Sequence, residues 1–277
     1  LLRFIAQTDA ILLLDSFLSL LFFDRPDSRF KAIMIKFPDG PEQESPQEID
    51  ESNTQVKPFP NLRDAGRELA LRLTKYREAD NVVVMALVSG GTPVAHEVAR
   101  FLRRPLDLVI IRRLLAPPAP ESSLLCAVSI GGSMIIPEGL MPRPAVPSTP
   151  LDHFLADAIA ELNHRAHICR RGLPPFNLES KTVVLVDCGI RTGSTMQAAI
   201  AALRTKEPER IIAAVPVTSQ GGHKAVTALC DEFIYLARPQ RFGHVGLWYS
   251  DFSRPDDDRV GELLEPGRDV ISAGRGE

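Results

Sequence analysis

No basic stripe runs through this chain: 32 Lys and Arg stand against 35 Asp and Glu, leaving a formal net charge of −3 with the signs interspersed. Nucleic acid and anionic membranes are therefore not expected partners. Aromatic residues are scarce. The four cysteines, Cys126, Cys169, Cys188 and Cys230, form no CxxC pair and no short disulfide framework. A reduced, cytoplasmic setting is the plain expectation. The strongly apolar run Ile11 to Phe23 is interrupted or bounded by Asp9, Asp15 and Asp24. It falls short of the roughly 20 residues a bilayer span needs and lacks a small-residue cleavage site. A peripheral helix packed on the domain, or poorly ordered upstream sequence, is expected there rather than an anchor. There is no Walker A motif, no GxGxxG fingerprint and no GxSxG elbow, since Leu87 rather than glycine lies two residues before Ser89. No internal repeat is evident.

What is present is ample apolar material, 44% of 277 residues, enough for one large α/β domain or a domain with an extension. Phe37 to Pro60 is rich in Pro, Glu, Gln, Asp and Ser and reads as a linker. The expected division is 1–60 as an N-terminal extension, 61–271 as the main domain and 272–277 as a tail, with the boundary near Phe59. Ahead of it, Phe30 to Phe37 reads as a lone strand without an assigned partner.

From Asn61, a candidate N-cap, the chain alternates helix and strand. Leu62, Ala65, Leu69, Leu73 and Tyr76 recur at helical spacing. An apolar strand, Val82 to Val88, meets a Ser-Gly-Gly turn and a helix from Pro93 to Leu102, with proline in its first turn. Leu108 to Ile111 is a further strand. Pro117, Pro118 and Pro120 then mark an irregular loop. Short strands follow at Leu124 to Ser129 and Met134 to Ile136, joined by Gly131 and Gly132. A Pro-rich connector, Pro137 to Pro150, leads to a long helix from about Leu151 to Arg171. The rest holds strands near Thr182, Ile211 to Pro216 and Phe233 to Leu236, with a helix near Gly222 to Leu229. Such alternation predicts an α/β fold with a parallel sheet covered by helices on both faces. Ligands in such sheets sit at the C-terminal ends of the strands.

Thr182 to Met196, TVVLVDCGIRTGSTM, carries the most chemistry. Val183 to Val186 form a buried-strand run ending in the carboxylate of Asp187. A turn containing Gly189 and Gly193 follows, and Thr192, Ser194 and Thr195 open an Ala-rich helical stretch. A carboxylate at a strand end facing hydroxyls and amides at a helix start suits a phosphate and an adjoining sugar diol. The glycines let backbone approach a ligand closely, and the hydroxyls add donors.

This stretch resembles the signature of the type I phosphoribosyltransferases: four apolar residues, two acidic or near-acidic positions, a short variable stretch, then Thr-Gly-Ser/Gly/Ala-Thr/Ser. The resemblance implies a parallel twisted sheet flanked by helices, with a small hood. It also implies that Cys188, Gly189, Ile190, Arg191, Thr192, Gly193, Ser194 and Thr195 hold the 5-phosphate of phosphoribosyl pyrophosphate. Asp187 would contact the ribose hydroxyls as the catalytic acid position and would be a contact for Mg²⁺ carried with the substrate. Cys188 departs from the pattern, standing where most members have a second acid.

A predicted-phosphoribosyltransferase subgroup is similar from roughly Leu62 to Val260, including DAGRELALRL, PVAHEVARFLRRPLDLVIIRRL, RIIAAVPV and VGLWYSDF. By this likeness Ser89, Gly90 and Gly91 occupy the pyrophosphate turn, where the subgroup usually has Pro-Arg-Gly-Gly. The arginine is replaced by Ser89, a loss of charge-assisted contact worth a few kcal/mol. Arg112 and Arg113 match an Arg-Lys pair placed to meet a polyphosphate. Leu115 to Ser123 corresponds to the loop that closes over substrate.

Competing readings attach to several residues. Trp248 to Phe252 is a surface for stacking a base or, more commonly, packing for a terminal segment. Glu161, His164 and His167 lie three apart on a helix, a spacing a metal can use, though a solvated face is the commoner outcome. Cys188, read as lying beside a helix N-terminus, is expected to have a lowered thiol pKa, but no partner histidine is visible. His96 reads as an exposed or part-buried helix residue.

The leading expectation is transfer of a 5-phosphoribosyl group from phosphoribosyl pyrophosphate, with Mg²⁺, to a nucleobase-like nitrogen nucleophile. The partners would be small molecules, and the resemblance leaves room for a homodimer. A degenerate sensor that binds phosphoribosyl pyrophosphate or a nucleotide without turnover is the alternative, motivated by Ser89 and Cys188. A serine hydrolase using Ser89 is the third.

Overall fold

The computed structural model describes residues 32–35, 57–115, 124–129, 134–137 and 148–272. In chain order, β1 (Ala32–Ile35) precedes α1 (Leu62–Arg72). Then come β2 (Val82–Leu87), α2 (Gly91–Leu102) and β3 (Leu106–Leu115). β4 (Leu124–Ser129), β5 (Met134–Pro137) and α3 (Ser148–Arg170) follow. A second run of alternation holds β6 (Thr182–Val186), α4 (Ser194–Arg204), β7 (Arg210–Val217), α5 (Gln220–Thr227) and β8 (Glu232–Ala237), and α6 (Asp257–Ser272) closes the described residues.

The main sheet has the order β4-β3-β2-β6-β7-β8. Its strands are parallel except β4, which pairs antiparallel with β3 and sets Arg112 opposite Ala127 and Arg113 opposite Cys126. Val84 is in register with Val184, and Val184 with Ile212. β2, β6 and nearly all of β7 are buried on both faces, which explains why these strands read as continuous apolar runs rather than alternating ones. Val82, Val84, Ala86, Val184 and Val186 pack in one core with Leu69 of α1, Val94 and Val98 of α2 and Leu264 of α6. Val83, Met85, Val183 and Leu185 pack in a second core with Met196, Ile200 and Leu203 of α4. Burying a Leu, Val or Ile side chain contributes about 1.5–3 kcal/mol.

Several expected boundaries shift for local reasons. β3 is longer than Leu108–Ile111 because its polar residues pair with β4, so apolarity alone underestimates it. α5 starts at Gln220, before Gly222, because Ser219 caps it by accepting the Gly222 N–H at 2.8 Å. α1 begins as expected, with the Asn61 side chain accepting the Asp64 N–H at 2.9 Å. The strand read at Phe30 to Phe37 is not alone: β1 pairs in parallel with β5, Ala32 opposite Met134. The apolar run 11–23, the linker 37–56, most of the loop 115–123, Gly131 and Gly132, most of the connector 137–150 and the tail 273–277 lie outside the described residues. No described helix is long and apolar enough to cross a membrane.

Connectivity places a switch point in the sheet. From β2 the chain crosses through α2 to β3 on one side; from β6 it crosses through α4 to β7 on the other. β2 and β6 are adjacent, so their following loops leave in opposite directions and open a crevice at their C-terminal ends. Open α/β sheets bind ligands at such a switch point.

Candidate functional site

The two loops at that crevice are the two that the sequence singled out. They touch. A Cβ built on Gly91, at the start of α2, would lie 2.7 Å from the Val186 carbonyl oxygen and 3.0 Å from the Asp187 Cα. Both neighbours are backbone, so glycine is what lets the Ser89–Gly91 turn pack against the end of β6. The Val88–Ser89 peptide is cis.

The helices leaving the crevice share a trait. α2 follows Gly90 and α4 follows Gly193, and neither has a side-chain cap, whereas α1 and α5 are capped by Asn61 and Ser219. The first amides of a helix have no intrahelical partner. Without a capping side chain, both sets of donors are left to another acceptor, and the dipoles favour an anion. Gly193 holds φ of 87°, a left-handed conformation open to glycine. Beside it Thr192 and Ser194 share a hydroxyl–hydroxyl hydrogen bond of 3.2 Å, Thr192 and Arg191 are exposed, and Ser194 and Thr195 are half-buried.

The signature loop is braced from below. The Ile190 N–H donates to the Val217 carbonyl at 3.0 Å, the Ser219 N–H to the Ile190 carbonyl at 2.8 Å, and the Ser219 hydroxyl to the Arg191 carbonyl. Asp187 is half-buried, and its Oδ1 accepts the Cys188 N–H at 2.7 Å. Tyr249 donates its hydroxyl to the Cys188 carbonyl. Desolvation, followed by the charge of Asp187, raises the Cys188 thiol pKa well above its ordinary value, against an opposing pull from Arg254. The sequence led to the opposite direction. The correction is physical: α4 starts only at Ser194, a helix dipole fades within its first turn, and at 5% exposure burial dominates. The backbone of Cys188 is itself paired, its N–H with Asp187 and its carbonyl with the Tyr249 hydroxyl. Its thiol should therefore be inert in the folded protein. With Ellman's reagent at pH 8, wild type and Cys188→Ala should show the same number of reactive native thiols, the difference of one emerging only in denaturant. A difference between the native counts would refute this.

Other sequence candidates separate clearly. Trp248 and Tyr249 are buried; the Trp248 indole N–H donates to the Phe242 carbonyl at 3.0 Å, and Tyr249 stacks on Phe252 at 5.2 Å. This cluster packs rather than offering an open face for a base. Ser89 has no hydrogen-bonded base among the described residues, and His96 directs Nδ1 to the Leu263 carbonyl at 2.9 Å. The hydrolase reading therefore has no general base to rest on. Glu161, His164 and His167 are exposed on α3, and no group of three or more His, Cys, Asp or Glu suited to a metal occurs among the described residues. Arg112 and Arg113 lie on β3, but their side chains fall outside the described residues. Two shallow concavities lie elsewhere, one against Phe176 and Leu178, the other between α1 and α2 around Arg67, Glu97 and Arg100. The latter is lined by structural ion pairs: buried Glu97 binds Arg100 at 2.7 Å and Arg67 at 3.3 Å.

One side chain at the crevice was not singled out in the sequence. Arg254 lies with Nε 3.5 Å from the point a Gly90 Cβ would occupy. It follows the aromatic cluster by two residues, and no local pattern brings it to a turn so distant in sequence.

Strand order, the crevice and the uncapped helix starts define an open α/β protein with a switch-point crevice at the C-terminal ends of β2 and β6. The chain belongs to the phosphoribosyl transferase family: the model of the phosphoribosyl transferase domain matches residues 52–237. Proteins of Mycobacterium tuberculosis strains CDC 1551 and H37Rv, each bearing the name "Putative phosphoribosyl transferase", are 34% identical over 220 residues. That covers 79% of this chain and 49% of theirs, so the chain spans about half the length of these relatives. The crystal structure of TT1426 from Thermus thermophilus is similar at 32% identity and a TM-score of 0.63, covering 75% of this chain and 97% of that one.

Proposed function

We propose that the chain binds phosphoribosyl pyrophosphate at the β2–β6 crevice and transfers its 5-phosphoribosyl group to a nitrogen nucleophile, releasing pyrophosphate. The observation that carries this reading is the contact of Gly91 with Val186 and Asp187. It sets the Ser89–Gly91 turn beside the end of β6 and the Asp187 carboxylate, from which the chain runs on to the uncapped start of α4.

In this assignment the amides of Ser194 and Thr195, with the hydroxyls of Thr192, Ser194 and Thr195, hold the 5-phosphate. That binding energy is remote from the reacting bond and fixes the sugar for attack. Asp187 accepts the ribose 2- and 3-hydroxyls. The acceptor nitrogen gives its lone pair to C1, forming the C1–N bond, as the C1–O bond to pyrophosphate breaks; the C1–O bonding pair leaves with the pyrophosphate oxygen, and the acceptor's N–H proton passes to solvent. Amides of the Ser89–Gly91 turn meet the charge growing on the leaving oxygen.

The donor set suits magnesium only as an ion carried by the substrate. Asp187 is one hard oxygen ligand with one oxygen already engaged, and Mg²⁺ commonly takes one or two carboxylates plus substrate phosphates and waters. When bound, it supplies charge neutralisation to the pyrophosphate. The free thiols of Cys169, Cys188 and Cys230 fit a reducing, cytoplasmic setting.

The test is calorimetric titration of the full chain with phosphoribosyl pyrophosphate and Mg²⁺, paired with pyrophosphate release over a panel of nucleobases and amines. Saturable binding with release for at least one acceptor is expected. Binding without release across the panel moves the assignment to the sensor reading, which the buried thiol at the usual second-acid position favours. No binding ends both.

A further inference from the structure

The turn proposed to hold pyrophosphate brings no cation of its own, because Ser89 stands at its centre. Arg254 arrives there from the far end of the domain. Its guanidinium carbon lies 4.7 Å from the centre of the Phe252 ring, and its Nε lies 3.5 Å from the point where Gly90 would carry a Cβ. The side chain thus borders the turn and is oriented by an aromatic face. Arg254 is exposed and has no ion pair or hydrogen bond among the described residues. Its charge is felt in the crevice, where it opposes the rise of the Cys188 thiol pKa.

The segment carrying it is tied down. Ser250 and Asp251 donate their N–H groups to the carbonyls of Phe59 and Pro60 at 2.8 and 3.0 Å, and Tyr249 reaches Cys188 of the signature loop. Asp251 then turns the chain by accepting the Ser253 N–H at 2.9 Å. The backbone before Arg254 is therefore anchored to the crevice on one side and to the start of the domain on the other.

We propose that Arg254 is a substrate-binding residue whose guanidinium pairs with the pyrophosphate oxygens of the phosphoribosyl donor above the Ser89–Gly91 turn. It supplies the positive charge that the turn lacks. A planar fork beside a polyphosphate is the geometry in which arginine outperforms lysine. The inference rests on the phosphoribosyl reading above.

Its test separates the two. Wild type, Arg254→Gln and Arg254→Lys are titrated calorimetrically with magnesium pyrophosphate, ribose 5-phosphate and phosphoribosyl pyrophosphate. Arg254→Gln should weaken pyrophosphate and phosphoribosyl pyrophosphate by about tenfold or more, leaving ribose 5-phosphate within about twofold. Arg254→Lys should fall between, and the thermal midpoint of each variant should match wild type, since the side chain is exposed. Undiminished pyrophosphate affinity in Arg254→Gln, or equal weakening of all three ligands, overturns the role of Arg254 while leaving the site assignment standing. A wild-type protein that binds none of the three overturns both.

Discussion

Asp187→Asn should lower kcat/KM for phosphoribosyl transfer by about 10²–10⁴-fold. Hydrogen bonds to a charged group contribute roughly 1.5–3 kcal/mol each, and the carboxylate is assigned both ribose hydroxyls, so two are weakened together. The loss should divide between KM and kcat. The hydroxyls are held in the ground state, but the ring gains positive charge as C1 loses its leaving group, and a nearby carboxylate stabilises that charge most strongly in the transition state. Asparagine is the informative substitution because it keeps an oxygen for the Cys188 N–H, which Asp187 now accepts at 2.7 Å. Alanine removes the ligand contact and the loop brace together, so Asp187→Ala should add a fall in thermal midpoint. Steady-state pyrophosphate release and calorimetry read both effects. In a chain that only binds, the penalty appears in Kd. Equal kcat/KM, or equal Kd, for Asp187→Asn and wild type would remove Asp187 from the ligand site.

The parts of this fold that could be read in the sequence are those encoded locally. Val183 to Val186 declare a buried strand because both faces of β6 meet apolar cores, so no polar residue interrupts the run. Asn61 declares a helix start because its side chain answers an amide three residues on. Thr192 to Thr195 declare a turn into a helix start because glycine and hydroxyls are gathered within a few residues. What stayed hidden depends on contacts distant along the chain. β1 finds β5 across the whole first half of the domain, and nothing in either strand names the other. Gly91 reads as an ordinary turn glycine until β6 is laid beside β2, when its missing side chain becomes a condition for bringing the loops together. Cys188 misled for the same reason: sequence places it near a helix start, whereas tertiary packing buries it under Gly90 and fixes its ionisation. Arg254 lies beside the crevice through a return of the chain that no periodicity announces.

The largest stability effect should come from a pair that carries no ligand chemistry. Asp107, on β3, is fully buried and Arg170, the last residue of α3, is 4% exposed; they form an ion pair of 3.0 Å. The carboxylate also accepts the N–H groups of Leu108 at 2.7 Å and Phe176 at 2.9 Å, and Arg170 donates to the Leu108 carbonyl at 2.6 Å. One residue thus fixes the end of α3, the start of the following loop and the edge of a central strand. Asp107→Ala strands a buried guanidinium, the buried Leu108 amide and the half-buried Phe176 amide, and breaking such a pair from one side costs about 3–5 kcal/mol. For a domain of this size that corresponds to a fall of roughly 6–20 °C in thermal midpoint. Replacing both partners, as Asp107→Leu with Arg170→Met, removes the stranded charge and should cost less than the sum of the single changes. It should not reach wild type, because the Phe176 and Leu108 backbone groups still lose their partners. Thermal melts of the two single variants and the double variant form the cycle. Additive losses, or a cost below about 1 kcal/mol for Asp107→Ala, would mean that the pair does not hold α3 to the sheet.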